Sequence, residues 1–289
     1  AASFRYHMSI SAFSVMLGEA RRRKYAVGSF NVWDIYSART VITTADRLRA
    51  PVIISLWQKE LDLAGEKELY DVVLSFVRAA QVPVTVFIDH AQEIADIERA
   101  IRLGASSVMI DGSHYPLAEN IRFTRQAVQI AHAAGVSIEG ELGRVGEEEE
   151  STPDASWYTD PDEAEQFVRE TGIDALAVAI GNAHGVYKQE PKLAFDVLEE
   201  IGRRIKIPIV LHGGSGIPDD DVRRAIGYGI AKVNIGAEGR IAFFDGLRGS
   251  LAALPTSEKF PHIILPPAIR AHAGLVEEKI RMLMSDGKA

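Results

Sequence analysis

None of the 289 residues is cysteine. The chain therefore forms no disulfide and offers no thiolate to a metal, so any metal must rest on His, Asp and Glu. Positive charge is also short: Lys and Arg number 32 against 40 Asp and Glu, a formal net charge of −8. That balance leaves no electrostatic footprint for nucleic acid or for an anionic membrane. The one basic run, at 21–24, is brief and reads as a solvated helix end. No apolar run reaches the length of a membrane span, and the N-terminus lacks the apolar core of a signal peptide. A cytoplasmic protein with no nucleic-acid or membrane partner is the expectation. No low-complexity linker divides the chain either, and its length suits one large core, so a single domain over 1–289 is expected.

What is present is an alternation. Strand-like apolar runs occur at 25–32, 51–57, 84–88, 107–110, 136–142, 175–180, 207–211 and 230–235. Helical patterns lie between them, at 37–49, 68–80, 93–103, 118–134, 161–171, 193–203 and 219–227. Asp160, Asp219 and Asp220 are candidate helix starts, and Gly104, Gly135 and Gly172 candidate stops. Eight βα units predict an α/β TIM barrel, (β/α)8, rather than an open doubly wound sheet. Residues 11–23 have helical spacing and are expected to close the bottom of the barrel. Helical patterns at 240–254 and 267–284 form a C-terminal extension. The long irregular segment 144–159, with four consecutive glutamates at 147–150, reads as a mobile lid or, alternatively, as a solvated acidic run.

The chemistry gathers where strands stop. The run Val84-Thr85-Val86-Phe87-Ile88 ends in Asp89-His90, at the strand end where parallel α/β folds collect ligands and catalysts. Taken alone, Asp89 could equally cap the following helix with His90 on the surface. Two further histidines stand in equivalent places: His184 after the sixth run and His212 after the seventh. Three histidines on one rim can converge on one ion, and three protein ligands with an open fourth position make a catalytic zinc site. Glycines share the rim. His212-Gly213-Gly214-Ser215-Gly216 and Asn234-Ile235-Gly236-Ala237 follow the last two strands, where many barrels bind phosphate, although glycines also serve plain turns. Gly185 and Lys188 are placed to close over the same anion.

These motifs carry a family resemblance. Ser-Phe-Asn at 29–31, Asp-His at 89–90, Val-Met-Ile-Asp-Gly-Ser-His at 108–114, Glu-Gly-Glu-Leu-Gly at 139–143, Gly-Asn-Ala-His-Gly-Val-Tyr-Lys at 181–188, Leu-His-Gly-Gly-Ser-Gly at 211–216 and Lys-Val-Asn-Ile at 232–235 resemble the class II, metal-dependent ketose-bisphosphate aldolases of the fructose and tagatose bisphosphate type. The resemblance implies cleavage of a ketose 1-phosphate or bisphosphate to dihydroxyacetone phosphate and an aldehyde, through a zinc-stabilised enediolate. It implies one catalytic zinc on His90, His184 and His212, and a second divalent or monovalent cation near Asp111 and Glu141. Asp89 becomes the proton donor and acceptor at the carbon–carbon bond, Glu149 the lid base for the α-proton, and Asn234 the group that orients the enediolate hydroxyl. Gly185, Gly213 to Ser215 and Asn234 to Ala237 hold the donor phosphate. A homodimer or homotetramer is implied, with the apolar helix at 275–284 as a contact. The competing reading is a non-catalytic sugar-phosphate-binding or aldolase-partner subunit, which should have lost ligands. A Schiff-base aldolase would need a lysine near the sixth strand, and 175–184 has none.

The pattern breaks in four places. Phe87 replaces a histidine, Trp57-Gln58-Lys59 replaces a Ser-x-Gly element, Trp33-Asp34 replaces small polar residues, and Ala237 replaces a hydroxyl-bearing residue. Asp34 and Lys59 are expected on the acceptor side, which argues against glyceraldehyde 3-phosphate as the aldehyde.

Overall fold

The structure, a computed structural model, describes residues 10–146, 155–185, 187 and 191–289. Eight parallel strands close into a ring in chain order: β1 (Val27–Asn31), β2 (Val52–Trp57), β3 (Val84–Ala91), β4 (Ser107–Ile110), β5 (Ser137–Leu142), β6 (Ala175–Val178), β7 (Ile209–Leu211) and β8 (Ile230–Ile235), with β8 paired to β1. This is the TIM barrel. Its strands are covered on both faces, which is why they read as continuous apolar runs such as Val52-Ile53-Ile54, each fully buried.

Helix α1 (Phe13–Arg23) precedes the ring. The crossovers hold α2 (Ile35–Leu48), α3 (Gln58–Ala64), α4 (Glu66–Ala79), α5 (Ile94–Leu103), α6 (Leu117–Ala133), α7 (Pro161–Thr171), α8 (Phe195–Arg204) and α9 (Asp219–Gly227). After β8 come α10 (Ala237–Ala253), α11 (Pro261–Ile264) and α12 (Pro266–Met282). The cap signals act as expected at α7, where Asp160 accepts from the N–H groups of Asp162 and Glu163, and at Gly104 and Gly172, which end their helices in the left-handed region.

The main core lies between strands and helices. A second cluster lies inside the barrel: Phe13, Met16, Leu17 and Ala20 of α1 join Ile53, Phe87, Met109 and Val210, so α1 plugs the N-terminal end. The basic run that ends α1 is not uniformly solvated. Arg22 and Arg23 turn to Glu19 at the surface, but Arg21 donates to the carbonyls of Gly202 and Ile205, each at 2.9 Å, and to that of Ile207. Unsatisfied carbonyls at the end of α8 draw that guanidinium inward.

Two further expectations are corrected. The stretch after β2 is helix α3 rather than an open loop, and Gly65 (φ +85°) ends it. At seven residues it is too short to announce itself by periodicity. Much of the apolar face expected as a contact is used within the chain: Val276, Ile280 and Met282 are buried where α12 packs across α10 and α2, while Leu275 is half-buried. Exposed apolar side chains sit instead on α10, at Ile241, Phe244 and Leu251.

Candidate active site and metal centre

A cavity of about 690 Å³ opens at the C-terminal ends of the strands, lined among others by Asn31, Asp89, His90, His184 and Asn234. Successive residues of a regular strand point to opposite faces, yet Asp89 and His90 both line this cleft. The reason is a break in β3. Its register on β4 shifts between Ile88 and Ala91, and His90 takes a φ of +53°. That left-handed conformation costs a non-glycine residue about 1 kcal/mol or more. The bulge re-aims two consecutive side chains into one site.

The three rim histidines meet. His90 Nε2 lies 3.0 Å from His212 Nδ1, and the His184 ring centroid is 4.9 Å from that of His90 and 5.8 Å from that of His212. Their other neighbours set the rings. His90 Nδ1 is 3.1 Å from Asp111 Oδ2, and Asp111 Oδ1 in turn accepts from the N–H and hydroxyl of Ser113. His212 Nε2 is 2.8 Å from Glu139 Oε1. Asn182, fully buried, ties the sixth and seventh strand ends together: it accepts from the Ile180 N–H and donates to the His212 carbonyl. Tyr187 adds a second tie, accepting from the Ala183 N–H and donating to the Gly213 carbonyl.

Asp89 is held by two amides. Asn31 donates to Oδ2 at 3.3 Å and Asn234 to Oδ1 at 3.2 Å. Burial opposes its ionisation, but His90, His212 and Lys232 overcome this and hold the carboxyl below its ordinary range. Burial likewise opposes charge on His90, and there Asp89, Asp111 and Glu141 win and lift it to about 10. Burial, reinforced by His90, lowers His184 to about 4 and His212 well below its usual value. Both are thus neutral imidazoles, the form that donates a lone pair to a metal.

The residues fit a divalent ion. Ligand atoms of His90, His184 and His212 lie within 4.8 Å of one another, carboxylates orient two of the rings, and the cleft leaves an open side. His90, Asp111 and Glu141 form a second such group. There Glu141 Oε2 is buried without a hydrogen-bond partner, and burial followed by Asp111 pushes its carboxyl well above the usual range.

Of the expected phosphate groups, Gly185, Gly213, Ser215, Asn234, Gly236 and Ala237 line the cleft. Gly213 has to be glycine: its φ is +62°, and a Cβ would stand 1.9 Å from the Ala183 carbonyl oxygen. Gly214 and Ile235 depart from the expectation. The Gly214 N–H already donates to the Asn234 carbonyl at 3.0 Å, and Ile235 is buried in the outer core, so neither faces the cleft. Lys188 and Glu149 lie outside the described residues.

On the acceptor side Trp57 and Lys59 line the cleft, with Lys59 Nζ 4.7 Å from the Trp57 ring centroid. Trp33 and Asp34 do not. Trp33 packs on His272 and Phe243, and Asp34 caps α2 by accepting from the Ser37 N–H at 2.7 Å. A strand end alone does not say which way the next residues turn. The cleft also contains groups the motifs left unassigned: Asn31, Ser113 and Arg240, the last paired with Glu60 at 3.2 Å. Only Asn31 had a signal, ending its strand on the same rim. Phe87, where the resemblance expects histidine, points into the barrel and stacks on Phe13 at 5.5 Å.

The chain is similar to known proteins over nearly its whole length. Residues 12–288 match the sequence profile described as fructose-bisphosphate aldolase class-II. The chain is 38% identical over 284 residues to the D-tagatose-1,6-bisphosphate aldolase subunit GatY of Klebsiella oxytoca, covering 97% of this chain and 100% of that one. It is 41% identical over 286 residues to the fructose-bisphosphate aldolase of Geobacillus stearothermophilus, covering 98% and 99%. Among solved structures, the YdjI aldolase of Escherichia coli K12 superposes with a TM-score of 0.86 at 34% identity, covering 97% of this chain and 99% of that one.

Proposed function

Since the chain belongs to the class-II fructose-bisphosphate aldolase family and is therefore a carbon–carbon lyase, we propose that it reversibly cleaves a ketose 1-phosphate or ketose bisphosphate to dihydroxyacetone phosphate and an aldehyde. The observation that carries this reading is the convergence of His90, His184 and His212 beside Asp89 at one rim of the barrel. These histidines would hold a zinc ion, and Asp111 with Glu141 a second cation. When bound, zinc supplies Lewis-acid stabilisation of negative charge on the ketose carbonyl oxygen, worth several kcal/mol.

The chain's own residues do the rest. Asp89 takes the C4 hydroxyl proton during cleavage and returns it during condensation. Its two amide partners, Asn31 and Asn234, keep the carboxylate aimed at that proton. Asn234 Oδ1 is buried without a partner and accepts from a hydroxyl of the three-carbon fragment. Backbone N–H groups of Gly185, Gly213, Ser215, Gly236 and Ala237 hold the phosphate, the last two at the start of α10, where helical N–H groups lack internal partners. This remote binding fixes the reacting carbons. The α-proton falls to Glu149, an assignment that rests on the motif resemblance, and Lys188, four residues after His184 in the sequence, adds charge at the phosphate. Lys59 at the mouth takes an acidic group on the aldehyde half. The proposal extends to a cytoplasmic homodimer or homotetramer, with the exposed apolar side chains of α10 as the contact.

Metal analysis of the purified protein, followed by a condensation screen of dihydroxyacetone phosphate with neutral, phosphorylated and carboxylated aldehydes, tests this reading. Condensation with at least one acceptor is expected. A metal-loaded protein that condenses none would be the non-catalytic partner subunit instead.

A further inference from the structure

The barrel interior contains an ion pair that the proposed reaction does not use. Lys232 of β8 and Glu139 of β5 meet across the ring, both fully buried, with Lys232 Nζ 3.0 and 2.8 Å from the two carboxylate oxygens. Lys232 points inward in step with Asn234 two residues on, and the register shift of β8 on β7, where Ile209 pairs with Ile230 but Val210 with Lys232, puts Ala231 on the inner side as well. Beneath the ammonium lies the face of Phe87, its centroid 4.0 Å away, backed by Phe13 of α1 with the two rings 11° from parallel. On the other side, Glu139 Oε1 is 2.8 Å from His212 Nε2.

Two opposite charges taken out of water contribute little net stability, and replacing such a pair by apolar residues of similar volume is often neutral or stabilising. The place of this pair is therefore explained by what it touches, which is His212. A carboxylate can only accept, so the proton on His212 sits on Nε2. The lone pair is then on Nδ1, the atom 3.0 Å from His90 Nε2. We propose that Lys232 and Glu139, resting on Phe87, form a positioning device inside the barrel that fixes His212 in the tautomer whose Nδ1 serves the metal. The inference rests on reading the three histidines as metal ligands. Lys232 sets the carboxylate by holding both of its oxygens, and Glu139 sets the imidazole. Neither residue lines the cleft, so both are positioning residues.

The test replaces the pair together, Glu139→Leu with Lys232→Met, which removes both charges and the acceptor for His212 while keeping similar volume. Zinc affinity is read by competition with a chromophoric chelator, and folding by circular dichroism and thermal melting of the metal-free protein. The expected result is a metal-free variant that melts near wild type yet binds zinc about 10–100-fold more weakly. Wild-type zinc affinity in the folded variant overturns the inference. If the variant does not fold, native protein carrying ¹⁵N-histidine and loaded with ¹¹³Cd decides: coupling to His212 Nδ1 with a proton on Nε2 supports the inference, and coupling to Nε2 overturns it. A wild-type protein that takes up no metal overturns the reading of the site itself, and this inference with it.

Discussion

His90 Nε2 and His212 Nδ1 face each other across 3.0 Å. Each ring has a carboxylate at its other nitrogen, Asp111 for His90 and Glu139 for His212. The facing atoms are therefore the ones available to a shared cation, and loss of that cation should abolish activity. Chelation is expected to remove turnover and zinc to restore it. His212→Ala should lower kcat at least about a thousandfold if the metal is worth about 4 kcal/mol in the transition state. Full activity in a protein shown by elemental analysis to be metal-free contradicts this.

Asp89 and Glu149 are assigned to different protons, and isotope exchange separates them. Asp89→Asn is expected to stop cleavage while bound dihydroxyacetone phosphate still exchanges its α-proton with deuterated water, followed by NMR. Glu149→Gln should suppress both. If Asp89→Asn lost exchange with its metal content intact, one carboxylate would be serving both steps.

Ala237 begins α10 and lines the cleft, but it has no hydroxyl for the phosphate. A hydrogen bond to a charged group is worth about 1.5 to 3 kcal/mol. Ala237→Thr should therefore tighten dihydroxyacetone phosphate binding, measured by calorimetry, by roughly tenfold or more. Unchanged binding would mean that backbone N–H groups or water already fill that role.

Lys59 stands at the cleft mouth against the Trp57 ring, in no ion pair among the described residues. Lys59→Ala should raise KM for acceptor aldehydes bearing an acidic group and leave neutral aldehydes nearly unchanged. With Trp33 and Asp34 turned away from the cleft, the expected discrimination against glyceraldehyde 3-phosphate would rest on the bulk of Trp57, since Lys59 attracts any acidic acceptor, a phosphorylated one included. Should fructose 1,6-bisphosphate prove the best substrate of a panel, the specificity argument fails and the metal chemistry stands.

His272 links pH to stability. Burial, only partly offset by Asp34, lowers it from 6.5 to about 4, and its Nδ1 is buried without a partner. The unfolded chain therefore takes up this proton first as the pH falls. The contribution is complete above pH 6.5 and is lost as the pH drops toward 4, by up to about 3 kcal/mol. Urea denaturation of the metal-loaded protein across that range should show a shallower slope in His272→Phe, and an unaltered slope would assign the effect elsewhere.

The barrel and its histidine rim were legible because each needs only a pattern: eight apolar runs, and a histidine ending the third, sixth and seventh. What escaped depends on backbone direction. Nothing in Asp89-His90 announces a bulge, since the left-handed residue is a histidine rather than a glycine. Trp33 and Asp34 look like rim residues until α2 turns them toward its own cap and toward α12. Glu139 and Lys232 lie two positions before Glu141 and Asn234, so strand periodicity alone could have put them on the inner face. The skipped Ala231 in β8 makes such counting unsafe without coordinates.

The seam of the ring, where Gly28 pairs with Val233, joins residues about two hundred positions apart. During synthesis β1 must wait, its edge unpaired, until β8 emerges, and an uncovered edge is where a nascent chain is most exposed to aggregation. Asn31 and Asn234, the two amides that hold Asp89, belong to those same two strands. Asp89 thus acquires its setting only when the last strand is laid against the first, and, if it serves as the proposed proton-transfer group, the onset of turnover during refolding would time the closing of the barrel.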